Sequence, residues 1–111
     1  MDQTTESTLL RIHIGEADRL DGVPLYRAIV ERMMAEGLAG VTVLRGIEGF
    51  GASARVHAAH VLQLSDDLPI IIECVDTTDR IDAVIPVLDE MMDGGLITTE
   101  RVAVRVRRGH R

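Results

Sequence analysis

Residues 44–55 read LRGIEGFGASAR, and this segment is the part of the sequence best suited to hold an anion. It contains three glycines, one aromatic residue and two flanking arginines: Gly46, Gly49, Gly51, Phe50, Arg45 and Arg55. Residues without a Cβ let backbone amides approach a ligand closely and form an anion-binding concavity. Arginine forks pair with carboxylates and phosphates. We therefore interpret this segment as an anion-binding loop; a glycine-rich hairpin tip is the alternative interpretation.

Every basic side chain of the protein is an arginine, 12 in all, because lysine is absent. A GxxxxGK[ST] phosphate loop and a lysine Schiff base are therefore excluded, and anion recognition must use arginines and backbone amides. Five arginines fall in the last eleven residues, where no acidic residue occurs: Arg101, Arg105, Arg107, Arg108 and Arg111. This group is an anion-binding candidate or, alternatively, a solvated edge strand with a basic tail.

The histidines and the single cysteine give little support to catalysis or metal binding. His57 and His60 are three residues apart, so they share a face only on a helix, and no third ligand follows nearby. Cys74 lies in the most apolar run, IIIECV, and we expect an inert core thiol with a raised pKa. No serine has a GxSxG setting. We find no catalytic constellation and predict that the protein is not an enzyme.

Length and charge restrict the remaining possibilities. A chain of 111 residues with a net charge of −6 fits one domain, and that charge argues against general nucleic-acid binding. The start MDQTTEST lacks the basic and apolar segments of a signal peptide, and one cysteine cannot form an internal disulfide. We expect a cytoplasmic protein with a disordered tail over 1–8, one domain over 9–107 and a basic tail over 108–111.

Alternating apolar residues predict strands at 9–15 and 100–106. A segment rich in β-branched residues predicts a strand at 40–46, and a nearly continuous apolar run predicts one at 68–76. A first helix is predicted over 24–36, with Pro24 at its start and Gly37 with Leu38 as its stop. A second helix follows capping oxygens at 76–78 and ends at two glycines, Gly94 and Gly95; we expect Pro86 to kink or split it.

The resulting order βαββαβ predicts an α+β, ferredoxin-like sandwich: an antiparallel sheet with two helices on one face. The long connection 47–67 is predicted to be functional. The other sheet face would be partly apolar, so we expect a homo-oligomer that covers it.

Three longer stretches resemble a known family: LRIHIGEADRLDGVPLYRAIVERMMAEGLAGVTVLRGIEGFG, LSDDLPIIIECVDT and PVLDEMMDGGLIT. GLAGVTVLRGIEGFG is similar to the PII signalling proteins, whose second strand enters a mobile T-loop through a GFG turn. The three stretches together look like the PII-like family catalogued as domain of unknown function 190, over about residues 9–104.

This resemblance implies a homotrimer that binds an adenine nucleotide or a related small anion in clefts between subunits and signals through the T-loop. It implies that phosphate is bound by Gly94, Gly95 and Arg101, together with Gly49 and Gly51 at the loop base. No cofactor is required in this interpretation, since the nucleotide (AMP, ADP or ATP) is a regulatory ligand. The resemblance also implies a partner protein, with a membrane transporter or fluoride channel as the candidate, and no direct membrane insertion.

The chain departs from the PII pattern at two places. Thr99 and Glu100 stand where PII proteins have a further glycine pair, and Ile70 stands where they have a phosphate-contacting lysine. Two other functions are therefore kept open. One is a divalent-metal-binding trimer resembling CutA proteins, using His57, His60 and His13; the other is a trimer that docks a partner without a small ligand.

Overall fold

The computed structural model of the chain describes residues 6–49 and 67–107. Within these ranges the elements follow the order β1 (Glu6–Gly15), β2 (Arg19–Leu20), β3 (Val23–Pro24), α1 (Leu25–Ala35), β4 (Thr42–Arg45), β5 (Pro69–Thr77), α2 (Thr78–Met91) and β6 (Leu96–Ala103). Four strands form one sheet in the order β4-β5-β1-β6, with every neighbouring pair antiparallel. This strand order with two crossover helices is the predicted ferredoxin-like sandwich.

Alternation along the two central strands creates the core. On β1 the side chains of Leu10, Ile12 and Ile14 are buried, and on β5 those of Ile70 and Ile72 lie opposite them on the same face. The two helices cover this face through stripes that recur every three or four residues: Leu25, Ile29 and Met33 on α1, and Ile81, Val84 and Leu88 on α2. Both helices therefore lie on one face of the sheet, as expected.

The predicted stop of the first helix is confirmed. Gly37 has φ +90°, its amide donates to the carbonyl of Met34 at 3.1 Å, and the Leu38 amide donates to the carbonyl of Met33 at 3.2 Å. These two bonds form the Schellman motif, in which glycine is favoured because it adopts a positive φ without strain.

The first strand begins earlier than predicted. Residues 6–8, which we assigned to a disordered tail, belong to β1, and both Ser7 and Thr8 are buried. The reason is that β1 is a central strand with a partner on each side: Thr8 pairs with Asp76 on β5 and with Arg101 on β6.

The last strand is also shifted. It covers Leu96–Ala103 and not 100–106, and the last described pair that it forms with β1 joins Ala103 to Glu6. Residues 104–107 follow it without regular structure.

Two further predictions are corrected. Pro86 does not split α2, which runs unbroken from Thr78 to Met91 because its buried stripe packs on both sides of the proline. The segment between β1 and α1, where no strand was predicted, contains a hairpin, β2 and β3, whose turn residues Asp21 and Gly22 have φ +51° and +86°. Positive φ at both turn residues is typical of a type I′ turn, for which Asp-Gly is a favoured pair.

The sheet face away from the helices, which we call the open face, is partly apolar. One row across the four strands consists of Leu44, Ile71, His13 and Leu96. Leu44 and Leu96 are 46% and 56% exposed. In the next row Arg11 lies between two carboxylates, with N–O distances of 2.8 Å to Glu73 and 3.4 Å to Glu100. No helix within the described ranges is long and apolar enough to span a membrane.

Candidate functional site

One part of the predicted site is the base of the long loop, at the end of edge strand β4. Arg45 is the last residue of β4, and its Nη1 donates to Oε2 of Glu16 at 2.8 Å. The next amide, that of Gly46, donates to the carbonyl of Pro69 at 2.7 Å. Gly49 lies close to the Pro69 ring, since a Cβ added to it would be 3.1 Å from Cγ of the proline. The loop therefore leaves the sheet with its first residues fixed against β5.

The second part is the turn between α2 and β6, which holds Gly94 and Gly95. This turn borders a shallow depression that is lined by Asp89, Met92, Asp93, Gly94, Gly95 and Ile97. The two positions differ in whether the structure requires a glycine there. Gly95 has φ +101°, and a Cβ there would lie 2.8 Å from the carbonyl oxygen of His13, whereas a Cβ on Gly94 would meet nothing within 4 Å. The backbone conformation and packing require glycine at 95, and nothing in the described fold requires it at 94.

The negative charge around this turn disfavours binding of an anion unless a cation also contacts the anion. Asp89 and Asp93 line the depression, and none of the described arginines lies in its lining. Two carboxylates near a phosphate cost free energy that an opposite charge has to offset. The turn can supply backbone amides and open space at Gly94, but the cation must come from elsewhere.

The loop base and the glycine turn lie at the same end of the sheet but on opposite edges. Arg45 pairs with Ile70, Ile70 with Ile14, and the neighbouring His13 with Leu96, so the loop base and the turn are level along the strands. Three strand spacings separate β4 from β6, which is about 14 Å. Within one protomer, Arg45 and Gly94 therefore cannot both contact a single phosphate group.

Arg101 lies apart from both groups. It pairs with Thr8 at the other end of β6, six residues or roughly 20 Å along the strand from Gly95. Its guanidinium is 80% exposed and forms an ion pair with Glu6 at 2.8 Å. The structure therefore does not bring Arg101 to the glycine turn of its own protomer.

Several predicted site residues lie outside the described residues: Phe50, Gly51, Arg55, His57 and His60. His13 is described, on the open face between Ile71 and Leu96. Among the described residues, no group of three or more histidine, cysteine, aspartate or glutamate side chains is placed to hold a metal ion.

The prediction for Cys74 is confirmed. The thiol is 2% exposed, and burial, followed by the charge of the nearby Asp76, raises its pKa to about 11. A thiol with this pKa is almost entirely protonated at neutral pH, so it is a poor nucleophile.

Sequence reasoning missed two acidic residues that link the ends of the long connection to the turn after β1. Glu16 bonds Arg45, and Asp67, at the other end of the long connection, accepts from the Ala17 amide at 3.0 Å. Both partners are distant in sequence, and an acidic residue in a polar turn carries no signal of such a contact.

The fold defines a class, the α+β proteins of ferredoxin-like topology, and PII-like proteins share this fold. A PII-like signalling protein of Thermus thermophilus superposes with a TM-score of 0.63 at 18% identity, covering 95% of this chain and 94% of its own. The CPII protein of Thiomonas intermedia, in a structure bound to ADP and bicarbonate, gives a TM-score of 0.58 at 16% identity, covering 93% and 92%. At these identities the likeness establishes the fold alone.

Within that class the chain belongs to the DUF190 family, described as uncharacterized ACR, COG1993, whose model matches residues 7–104. A UPF0166 protein of Methanocaldococcus jannaschii is 38% identical over 93 residues, which is 83% of this chain and 85% of the relative. A UPF0166 protein of Aquifex aeolicus is 34% identical over 104 residues, or 92% and 96% of the two chains. The predicted family and the predicted fold are thus confirmed.

Proposed function

We propose that this protein is a non-enzymatic, cytoplasmic regulator that assembles as a homotrimer and binds an adenine nucleotide, or a similar phosphorylated anion, between protomers. The loop over 47–67 reports the bound ligand to a partner protein. The observation that carries this proposal is the position of Arg45 and Gly94 at one end of the sheet but on opposite edges. Two such edges from neighbouring protomers, placed together, supply both the cation and the open backbone that one phosphate group needs.

The acidic lining of the glycine turn supports a shared site. Since Asp89 and Asp93 border that depression, a bound phosphate needs an arginine from a neighbour, and Arg45 is 59% exposed at the matching level. Gly49, Phe50, Gly51, Gly95, Arg55 and Arg101 stay in the proposal as further contacts. Arg101 can join only a cleft that includes another protomer's turn. CPII, which shares the fold, was solved with ADP and also with ADP, AMP and acetate, so ADP is the first ligand to test.

The open face supports self-association. Its row of Leu44, Ile71 and Leu96 leaves apolar surface in water, and association would bury it at about 25 cal/mol for each Å². We expect Ile71→Asp to reduce the trimer to monomers in size-exclusion chromatography with light scattering. Met34→Asp is the matched control, because Met34 is 72% exposed on α1, away from the open face. A trimer that survives the first substitution would contradict this assembly.

Binding is tested by titration calorimetry with ADP. Arg45→Ala removes a charge-assisted hydrogen bond and should weaken affinity by roughly 10- to 150-fold, the equivalent of about 1.5–3 kcal/mol. Gly94→Ala should weaken it as well, since a methyl group then occupies the space that the ligand would approach. Arg32→Ala is the control: it removes one exposed arginine that is ion-paired with Glu36 on α1. Unchanged affinity in Arg45→Ala would remove this residue from the site.

The binding and assembly experiments also distinguish the proposed nucleotide-binding function from the two alternative functions. If neither ADP nor related anions bind while the trimer persists, the protein is a partner-docking trimer without a small ligand. The partner surface we assign includes Ile47, which is 94% exposed at the loop base. The partner class that the resemblance implies is a membrane channel or transporter, such as a fluoride channel. A metal-binding trimer has no supporting contact among the described residues.

A further inference from the structure

The turn that follows β1 is bonded to both ends of the long connection. At the N-terminal end, Arg45 Nη1 donates to Glu16 Oε2 at 2.8 Å. At the C-terminal end, the Ala17 amide donates to Asp67 Oδ1 at 3.0 Å, and the Glu16 amide donates to the carbonyl of Leu68 at 2.8 Å. We call these two attachments the arginine contact and the aspartate contact.

The two attachments differ in how firmly they are held. The arginine contact is a single ion pair between side chains that are 59% and 30% exposed, so salt and competing anions can reach it. The aspartate contact uses backbone amides, and the carboxylate packs closely on Gly15, where an added Cβ would lie 2.5 Å from Oδ1 of Asp67. An anion can therefore break the arginine contact and leave the aspartate contact in place.

We propose that the carboxylate of Glu16 competes with an anionic ligand for the guanidinium of Arg45. In the ligand-free protein the Glu16 carboxylate holds the guanidinium and pins the N-terminal base of the loop to the turn. A phosphate that binds Arg45 displaces this carboxylate, and the base is released on the arginine side only. The displacement step rests on the proposed function, whereas the pinning of the loop base does not.

The pinning is tested without any ligand by hydrogen exchange at the Gly46 amide, which donates to Pro69 one residue beyond Arg45. At low salt, Glu16→Gln should speed this exchange by about 1.5- to 5-fold, the range expected for an exposed ion pair. Raising NaCl to about 1 M should bring the wild type to the same rate and leave the variant unchanged. Glu36→Gln is the matched control, because it removes one charge and an exposed 2.9 Å pair with Arg32. Equal Gly46 rates in the wild type and Glu16→Gln would overturn the proposal.

The competition is tested by calorimetric titration with ADP. Freed from its carboxylate, Arg45 should bind the phosphate more tightly, so Glu16→Gln should gain about 1.5- to 5-fold in affinity over Glu36→Gln. Equal affinities in these two variants would refute competition, since both carry the same net charge. If the wild type does not bind ADP, the nucleotide assignment under the proposed function fails, and the exchange rates at Gly46 still decide whether Glu16 pins the loop base.

Discussion

Gly95→Ala places a methyl group in a filled space at a backbone position that favours glycine. The residue has φ +101°, a conformation that side chains with a Cβ rarely adopt. The new methyl group would lie 2.8 Å from the carbonyl oxygen of His13, 2.9 Å from Cε of Met92 and 3.1 Å from Cγ2 of Ile14. The methionine tip can move aside, but the carbonyl belongs to a central strand and cannot.

The loss of folding free energy has two sources, the positive φ and the close contacts of the methyl group. A positive φ for alanine costs on the order of 1 kcal/mol, and forcing a methyl group into a filled space typically costs about 1–3 kcal/mol. We therefore expect the free energy of unfolding to fall by roughly 2–4 kcal/mol. Small domains have only about 5–15 kcal/mol in total, so the melting temperature should drop by about 10 °C or more.

The assay is urea and thermal unfolding at one fixed protomer concentration, because association adds to the apparent stability. The adjacent Gly94→Ala is the matched control, since nothing lies within 4 Å of its Cβ position and its φ is not positive. Its free energy of unfolding should stay within about 0.5 kcal/mol of the wild type, or rise slightly through a less flexible unfolded chain. If the two variants unfold alike, the close packing of the turn on β1 is wrong.

Three further predictions concern single side chains. Because burial raises the pKa of Cys74 to about 11, the folded state keeps a proton that the unfolded state loses from about pH 9. The free energy of unfolding should therefore fall by up to about 2 kcal/mol between pH 9 and 11, and Cys74→Ala should lack that part of the slope. Pro86→Ala should raise the melting temperature, because α2 regains a backbone hydrogen bond and loses the clash of the proline ring. Together these changes should stabilise the protein by about 1–3 kcal/mol. Asp76→Ala should lower the free energy of unfolding in urea by roughly 2–3 kcal/mol, since the carboxylate accepts from the amides of Ala39 at 2.9 Å and Thr77 at 2.7 Å.

Local signals in the sequence predicted the fold well where local interactions decide the structure. Gly37 and Leu38 end the first helix through bonds to its own last turn, so the stop could be predicted from neighbouring residues. The start of β1 could not, because Thr8 is buried by partners distant in sequence, including the hydroxyl of Thr78 at 2.8 Å. Pro86 shows the same limit, because packing of the helix outweighs the tendency of proline to interrupt a helix.

The candidate site was predictable only in part. The sequence indicated glycines and arginines, but it could not distinguish Gly95, which the turn requires, from Gly94, which the described fold leaves open. Nor could it indicate that Glu16 holds Arg45 across 29 residues of sequence separation. Both distinctions depend on which atoms meet across the sheet.

A shared site makes a prediction that neither single variant can test. Arg45→Ala protomers lack the cation and Gly94→Ala protomers lack the open backbone, so each variant alone should bind ADP weakly. If one protomer supplies Arg45 and its neighbour supplies Gly94, random mixing of the two variants by unfolding and refolding leaves roughly a quarter of the clefts with both native residues. ADP titration of the mixture should then recover about that fraction of sites at wild-type affinity.

A site formed within one protomer behaves differently, because every protomer in the mixture carries one defect and no native site can arise. The mixture would then bind ADP no better than the two separate variants. Refolding each variant alone through the same procedure controls for changes caused by refolding itself. Arg45 and Gly94 belong to opposite edges of the sheet, and the edge strands β4 and β6 are about 14 Å apart, so the structure favours recovery. Failure to recover, together with an intact trimer, would show that the two residues do not serve one phosphate group.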